Sequence, residues 1–253
     1  MLKRLKTLRN HARINLAISC LDTLSIPKVD NAGEINNSVG YQVMHNGMKV
    51  KLDGYCSTLI TRIITGLKGH HEPQEELLYS HLVNHFSEHA IILEVGSYWG
   101  YYSMWFLYNR PHRRAVLVEP LKENLRVGEE NMVLNGLEDR ATFINAYISD
   151  TSNKNSEFTN WDGTMTNCES LRLDDILKMQ SLEYVDLLHA DIQGSELLML
   201  KSSEELLSEF RISVLFISTH SEDIHRRVLS FLEKCGYHII DDYSPLQSCL
   251  LYT

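Results

Sequence analysis

No apolar run in this chain approaches the ~20 residues that a membrane-spanning helix needs, and the N-terminus lacks the uninterrupted apolar core of a signal peptide. Cysteine is scarce: the five, at positions 20, 56, 168, 235 and 249, are odd in number and widely spaced, with no Cys-x-x-Cys pair to hold zinc or exchange disulfides. Together these absences predict a protein of the cytoplasm. Positive charge is also short, 24 basic against 33 acidic side chains for a net charge of -9, which disfavours a nonspecific grip on nucleic acid. With 43% hydrophobic and 23% charged residues in 253, the composition is that of an ordinary globular chain and points towards small-molecule chemistry.

The basic charge is concentrated at the start. Lys3, Arg4, Lys6, Arg9 and Arg13 stand among Leu2, Leu5, Leu8 and Ile14 at roughly helical spacing, predicting a short basic amphipathic helix that offers a packing or homo-oligomerisation arm. Residues 42–45 and 48–52 flank Asn46-Gly47, the pair favoured by a two-residue hairpin turn. Helical stretches follow over 59–67 and 74–86, with Pro73 at a helix start. These features make residues 1–72 an N-terminal extension and 73–253 the main domain.

Within that domain, short apolar runs of strand type at 90–95, 115–118, 141–146, 185–190 and 212–218 alternate with helical periodicity, the pattern of a parallel α/β sheet covered on both faces. Runs at 237–241 and 248–252 around Ser244-Pro245 predict a closing antiparallel hairpin, and the polar stretch 150–169 reads as a long loop over the site, with Trp161 as a stacking platform.

The first strand ends in Glu94-Val95-Gly96-Ser97-Tyr98-Trp99-Gly100, a glycine turn leading into a helix, where backbone can approach a ligand closely. Nineteen residues after Gly100, the second strand ends in Glu119-Pro120, and a carboxylate at that tip suits the hydroxyls of a ribose. Glu94 would repel a dinucleotide pyrophosphate but favours the ammonium of an amino acid. S-adenosylmethionine satisfies both carboxylates.

With these residues in view, 73–243 resembles the FkbM family of S-adenosylmethionine-dependent methyltransferases. Residues 92–103 are similar to the family's first motif, Val118-Glu119-Pro120 with Asn124 and Asn131 to its second, Leu173-Asp174-Asp175 to its mid-chain motif, and Asp191-Ile192-Gln193-Gly194-Ser195-Glu196 to its fourth-strand motif. Departures stand at Tyr98, His189 and Gln193, where the family often has Asn, Lys and Glu. The resemblance implies a class I methyltransferase fold, a Rossmann-like mixed seven-stranded sheet with helices on both faces. It also implies O-methylation of a sugar or natural-product hydroxyl. The cofactor contacts it implies are Glu94, Gly96, Ser97, Tyr98, Trp99, Gly100, Glu119, Pro120, Asn145, Ala146 and Asp191.

Methyl transfer is an in-line displacement dominated by positioning. An alcohol acceptor profits from a base, and His220, after the fifth strand, is the expected one because its ordinary pKa lies near working pH, with Asp191 sharing the work. A divalent ion held by Asp191 with Asp174 or Asp175 is the weaker reading, since no complete ligand set is legible and Asp174-Asp175 suits a helix N-terminus. His81, His85 and His89 recur every four residues but carry no carboxylate on their face, so a solvated helix face is expected of them. His189 reads as a core histidine. Two rivals remain: a noncatalytic methyltransferase-like binding protein, and a nucleotide-dependent oxidoreductase, which would call for a Tyr-x-x-x-Lys pair that none of the twelve tyrosines provides.

Overall fold

The computed structural model describes residues 25–55, 58–160 and 163–243. The expected basic helix, Trp161 and the second half of the closing hairpin lie outside the described residues. By its contacts the chain forms two compact units, one running to Phe86 with Val133–Gly136, the other comprising Ser87–Met132 and continuing from Leu137.

The first unit holds a small antiparallel sheet, β1 (Ile35–Asn36), β2 (Tyr41–Val43) and β3 (Lys49–Lys51), followed by α1 (Thr58–Gly66) and α2 (Pro73–Leu82). The connection of β2 to β3 differs from the expected two-residue turn: Gly47 takes φ +91° while Asn46 does not take a positive φ, Gly47 N donates to Met44 O at 3.0 Å and Met44 N to Met48 O at 2.7 Å, so His45, Asn46 and Gly47 form a three-residue loop, in which Asn46 Oδ1 accepts from Met48 N at 3.1 Å. Met44, Met48 and Val50 are buried with Ile60, Ile63 and Ile64 of α1, and the Gln42 amide donates to Gly33 O, Thr61 O and Thr65 Oγ1, so the hairpin and the helix share one core.

The second unit is built on five parallel strands, β4 (Ile91–Val95), β5 (Arg114–Val118), β6 (Ala141–Ile144), β10 (Val185–Ala190) and β11 (Ile212–Ile217), in the order β11-β10-β4-β5-β6. Every residue of β4 is buried, the signature of a strand covered on both faces. The helices between strands are α3 (Tyr101–Leu107), α4 (Lys122–Asn135), α5 (Leu173–Met179), α6 (Glu196–Ser202) and α7 (Glu204–Ser208), and α8 (Glu222–Lys234) follows β11. α8 shows the usual local logic: Ser221 Oγ accepts from Ile224 N at 3.2 Å, Glu222 and Asp223 lie in the first turn, Val228 and Leu232 face the core, and Gly236 follows at φ +92°.

Three expectations change. The run 141–146 is not one strand: it leaves the main sheet at Asn145, and β7 (Ala146–Ile148) pairs parallel with β9 (Met165–Leu171) in a second, three-stranded sheet. The stretch 150–169 is not a loop, because β8 (Asn153–Thr159) pairs antiparallel with β9. Its alternation escapes a hydrophobicity reading because inward positions carry hydroxyls, Ser156 and Ser170, which bond each other at 3.0 Å. Thirdly, residues 237–243 form no strand; the other half of the expected closing hairpin lies outside the described residues, among which the main sheet has five parallel strands.

Candidate active site

The order of the main sheet reverses at β4: the chain moves outward through β5 and β6, then returns to lay β10 and β11 on the other side. Loops leaving β4 and β10 therefore diverge, and the crevice at the carboxyl ends of these strands is where open α/β sheets bind ligands. Val95, Val118 and Ala190 are in register. The residues just after them, Gly96, Glu119 and Asp191, consequently lie along one rim.

The turn after β4 is tight. Gly96 N and Ser97 N both donate to Val118 O, at 2.9 and 3.1 Å, and Gly100 N donates to Ser97 O at 2.6 Å. Gly96 has φ +72°, and a Cβ there would stand 1.8 Å from Asp191 O, so only glycine lets the two strand tips close together. Tyr98 adopts φ +42°, strained backbone for a non-glycine residue at a candidate ligand turn. Ser97 Oγ is buried without a hydrogen-bond partner. Trp99 is buried against Tyr101 with ring centroids 5.3 Å apart, which makes it a core residue, while Tyr98 stays half-buried.

Glu94 is fully engaged with α3: its carboxylate accepts from Ser103 N at 2.9 Å, and burial pushes its pKa up to about 7 against the pull of the Ser103 and Tyr102 donors. Beside it His189, 3.8 Å from Glu94 Oε1, stacks on Phe216, a core position as expected.

Glu119 Oε1 accepts from Leu121 N at 3.0 Å and Asn124 Nδ2 at 3.1 Å, and Oε2 from Tyr98 N at 3.1 Å. A carboxylate has about four acceptor positions, so one remains, on Oε2, for a ligand. Burial raises its pKa against those three bonds. Asn145 spends its amide on Glu119 O and Pro120 O at 3.0 and 2.8 Å, bracing the β5 tip. Ala146 is fully buried in the core.

The strongest electrostatic feature is at the tips of β10 and β11. His220 lies between two carboxylates, Nε2 at 3.1 Å from Asp191 Oδ1 and Nδ1 at 2.8 Å from Glu196 Oε1. Burial disfavours its charge, but the hydrogen bonds and charges of Asp191 and Glu196 prevail and raise its pKa to about 10. It is thus an imidazolium donating through both nitrogens at neutral pH. In that state it has no free lone pair, so the geometry favours a positioning role over the general base expected of it. Gln193 Nε2 also donates to Asp191 Oδ1, at 3.2 Å. Glu196, in the first turn of α6, closes the fourth-strand motif but carries no expected role from sequence; it is fully buried, also accepts from Gly194 N at 3.0 Å, and leaves Oε2 without a partner. Its place five residues after Asp191, behind Gly194, was the available signal.

Asp174 and Asp175 sit in the first turn of α5, where the helix dipole favours acids; Asp174 is bonded to Arg172 at 2.5 Å and Asp175 to Ser152 Oγ at 2.5 Å. Thr219 Oγ1 bonds His225 Nδ1 at 2.9 Å, and His225 Nε2 bonds Asp242 at 2.7 Å.

The model of the methyltransferase FkbM domain matches residues 70–239, and the chain belongs to that family. The parallel sheet flanked by helices is the class I, Rossmann-like methyltransferase fold. No curated protein matches the sequence. Among solved structures, the chain is similar to an uncharacterised protein from Listeria monocytogenes serotype 4b, at 12% identity over 65% of this chain and 59% of that one, with a TM-score of 0.43. It is also similar to the precorrin-6y C5,15-methyltransferase of Geobacter metallireducens GS-15, at 11% identity over 65% and 70% of the two chains with a TM-score of 0.44. A third likeness is to the O-methyltransferase from Bacillus cereus in complex with SAH, at 17% identity over 53% and 50% with a TM-score of 0.35. The chain therefore spans less than two thirds of the length of the first of these structures.

Proposed function

We propose that this methyltransferase uses S-adenosylmethionine to methylate a hydroxyl of a small molecule, with sugars as the favoured class. The observation that carries the reading is the convergence of the Gly96–Gly100 turn, Glu119 and Asp191 on one rim at the point where the strand order reverses. Two features suit the cofactor: the partnerless Ser97 hydroxyl within the glycine turn, and the acceptor position left on Glu119 for one ribose hydroxyl. Bound there, S-adenosylmethionine supplies an electrophilic methyl group on a sulfonium.

In this proposal the glycine turn approaches the cofactor through backbone, Tyr98 flanks the sulfonium, and Glu94 sets the charge beneath the amino-acid portion while holding α3. Asp191, partly exposed at the crevice, orients the acceptor hydroxyl and takes its proton. His220 and the buried Glu196 are positioning residues that fix Asp191. A hydroxyl acceptor is supported by the absence of a Pro-Pro-Tyr amine-methylating motif.

Calorimetry tests the cofactor: binding of S-adenosylmethionine and S-adenosylhomocysteine, with no heat from NAD, is expected. Binding of neither would leave a noncatalytic methyltransferase-like protein as the reading. Transfer of a labelled methyl group to a panel of hydroxylated acceptors then tests the chemistry. Transfer only to amine acceptors would overturn the hydroxyl assignment.

A further inference from the structure

A second concentration of imidazole and carboxylate lies in the first unit, apart from any residue assigned above. His45 follows β2, His70 and His71 precede α2, and Glu76 sits in the first turn of α2. All four are buried, with exposures of 2, 0, 1 and 0%. Gly69 makes the arrangement possible: at φ +90° its absent side chain would stand 2.2 Å from His45 N, and its carbonyl accepts from that same nitrogen at 3.0 Å. The loop thus presses against the hairpin turn, and the His70 ring stacks on the His45 ring with centroids 4.3 Å apart and planes 16° from parallel.

Both rings bring Nδ1 near the same oxygen, and the His45 ring also hydrogen-bonds the Gly69 backbone. His70 Nδ1 is hydrogen-bonded to Glu76 Oε2, and His45 Nδ1 lies 3.8 Å from it. One ligand atom each from His45, His70 and Glu76 falls within 4.8 Å of the other two, the only such group of three among the described residues. The other carboxylate oxygen, Oε1, accepts from His71 N at 2.8 Å and Glu72 N at 3.2 Å and lies 2.8 Å from His71 Nδ1, which fixes the carboxylate's orientation. His70 Nε2 has no hydrogen-bond partner although the residue is wholly buried. A core that needed only to cap α2 would not call for two stacked imidazoles.

We propose that His45, His70 and Glu76 bind a divalent transition-metal ion, zinc first, which fastens the hairpin turn to the start of α2. Two imidazole nitrogens and a carboxylate oxygen are the donor set that zinc accepts, with a water completing four-coordination. Bonds of about 2.0 to 2.2 Å hold neighbouring ligands roughly 3.3 Å apart, so the His70 ring and Glu76 part by about an ångström to admit the ion. Of the three ligands only His45 lies outside the residues that match the family; His70 is the first of them and Glu76 follows within them, so the site ties the start of the matched domain to the hairpin before it.

The test uses the full-length chain, purified without a polyhistidine tag and stripped with chelator. Titrated zinc is expected to bind at about one equivalent per chain and to raise the melting temperature reversibly, the rise being abolished by chelator. Cobalt in its place is expected to give tetrahedral visible bands. His45→Gln should weaken zinc by about hundredfold or more, whereas the combined His81→Gln, His85→Gln and His89→Gln variant, altering three exposed histidines, should leave it unchanged. Less than about a tenth of an equivalent bound to the wild-type chain, with no rise in melting temperature, overturns the proposal without any variant. Binding lost in the triple variant but kept in His45→Gln overturns it too.

Discussion

The two histidine–carboxylate centres of this protein use the same side chains under opposite conditions. In the first unit, His45, His70, His71 and Glu76 are sealed in the core; in the second, Asp191 and His220 stand at strand tips with side chains 31 and 24% exposed, over a sealed Glu196. Both raise one histidine to about 10, His71 against burial through Glu72 and Glu76, and His220 against burial through Asp191 and Glu196. The sealed centre also contains the reverse case, His45, whose burial outweighs Glu76 and lowers it to about 3. Two carboxylates in contact make an imidazolium; burial with only a distant carboxylate keeps the ring neutral. A fixed charge at an open rim can orient a ligand, whereas a cluster sealed in the core has no access to a large one.

The comparison breaks most completely if the rim cannot form. Gly96→Ala places a methyl group on the Asp191 backbone, which cannot move without shifting β10, and should cost about 4 kcal/mol or more or prevent folding, measured by urea unfolding. Glu196→Ala leaves His220 with one carboxylate; a loss of about 3 kcal/mol is expected, with the His220 pKa falling in NMR titration. An unchanged pKa would refute the account of the clamp. Glu119→Ala tests the rim as a ligand site: losing a charge-assisted hydrogen bond of about 1.5 to 3 kcal/mol should weaken S-adenosylmethionine about ten- to hundredfold in calorimetry. Unchanged affinity would contradict the ribose assignment.

The smallest effect is a pH dependence. Because the folded pKa of His220 lies above its ordinary 6.5, the stability from its clamp is fully present below that value and drains away as pH rises towards about 10. Melting temperatures should fall between pH 6.5 and 10, with His71 contributing in the same window, and His220→Asn should reduce that slope without abolishing it.

Much of the second unit is legible in the sequence because its signals are local. A fully buried parallel strand is apolar throughout, so β4, β5, β10 and β11 announce themselves, and the glycine turn and the carboxylates at the tips follow directly. The hairpin of β8 and β9 is not legible, since its inward face is partly paired hydroxyls rather than apolar side chains. The most regular histidine spacing, His81, His85 and His89, turned out to be three exposed side chains, while His45, His70 and Glu76 met from positions 25 and 6 residues apart.

The sequence by itself determined the main parallel strands, the family motifs and the residues at the strand tips, because periodicity and short spacings encode neighbours along the chain. Only the tertiary structure decided the protonation of His220, the commitment of Glu94 to α3, the single acceptor position left on Glu119 and the meeting of two rings on Glu76. A charge state depends on every group within a few ångströms, and those groups arrive from distant parts of the chain by packing.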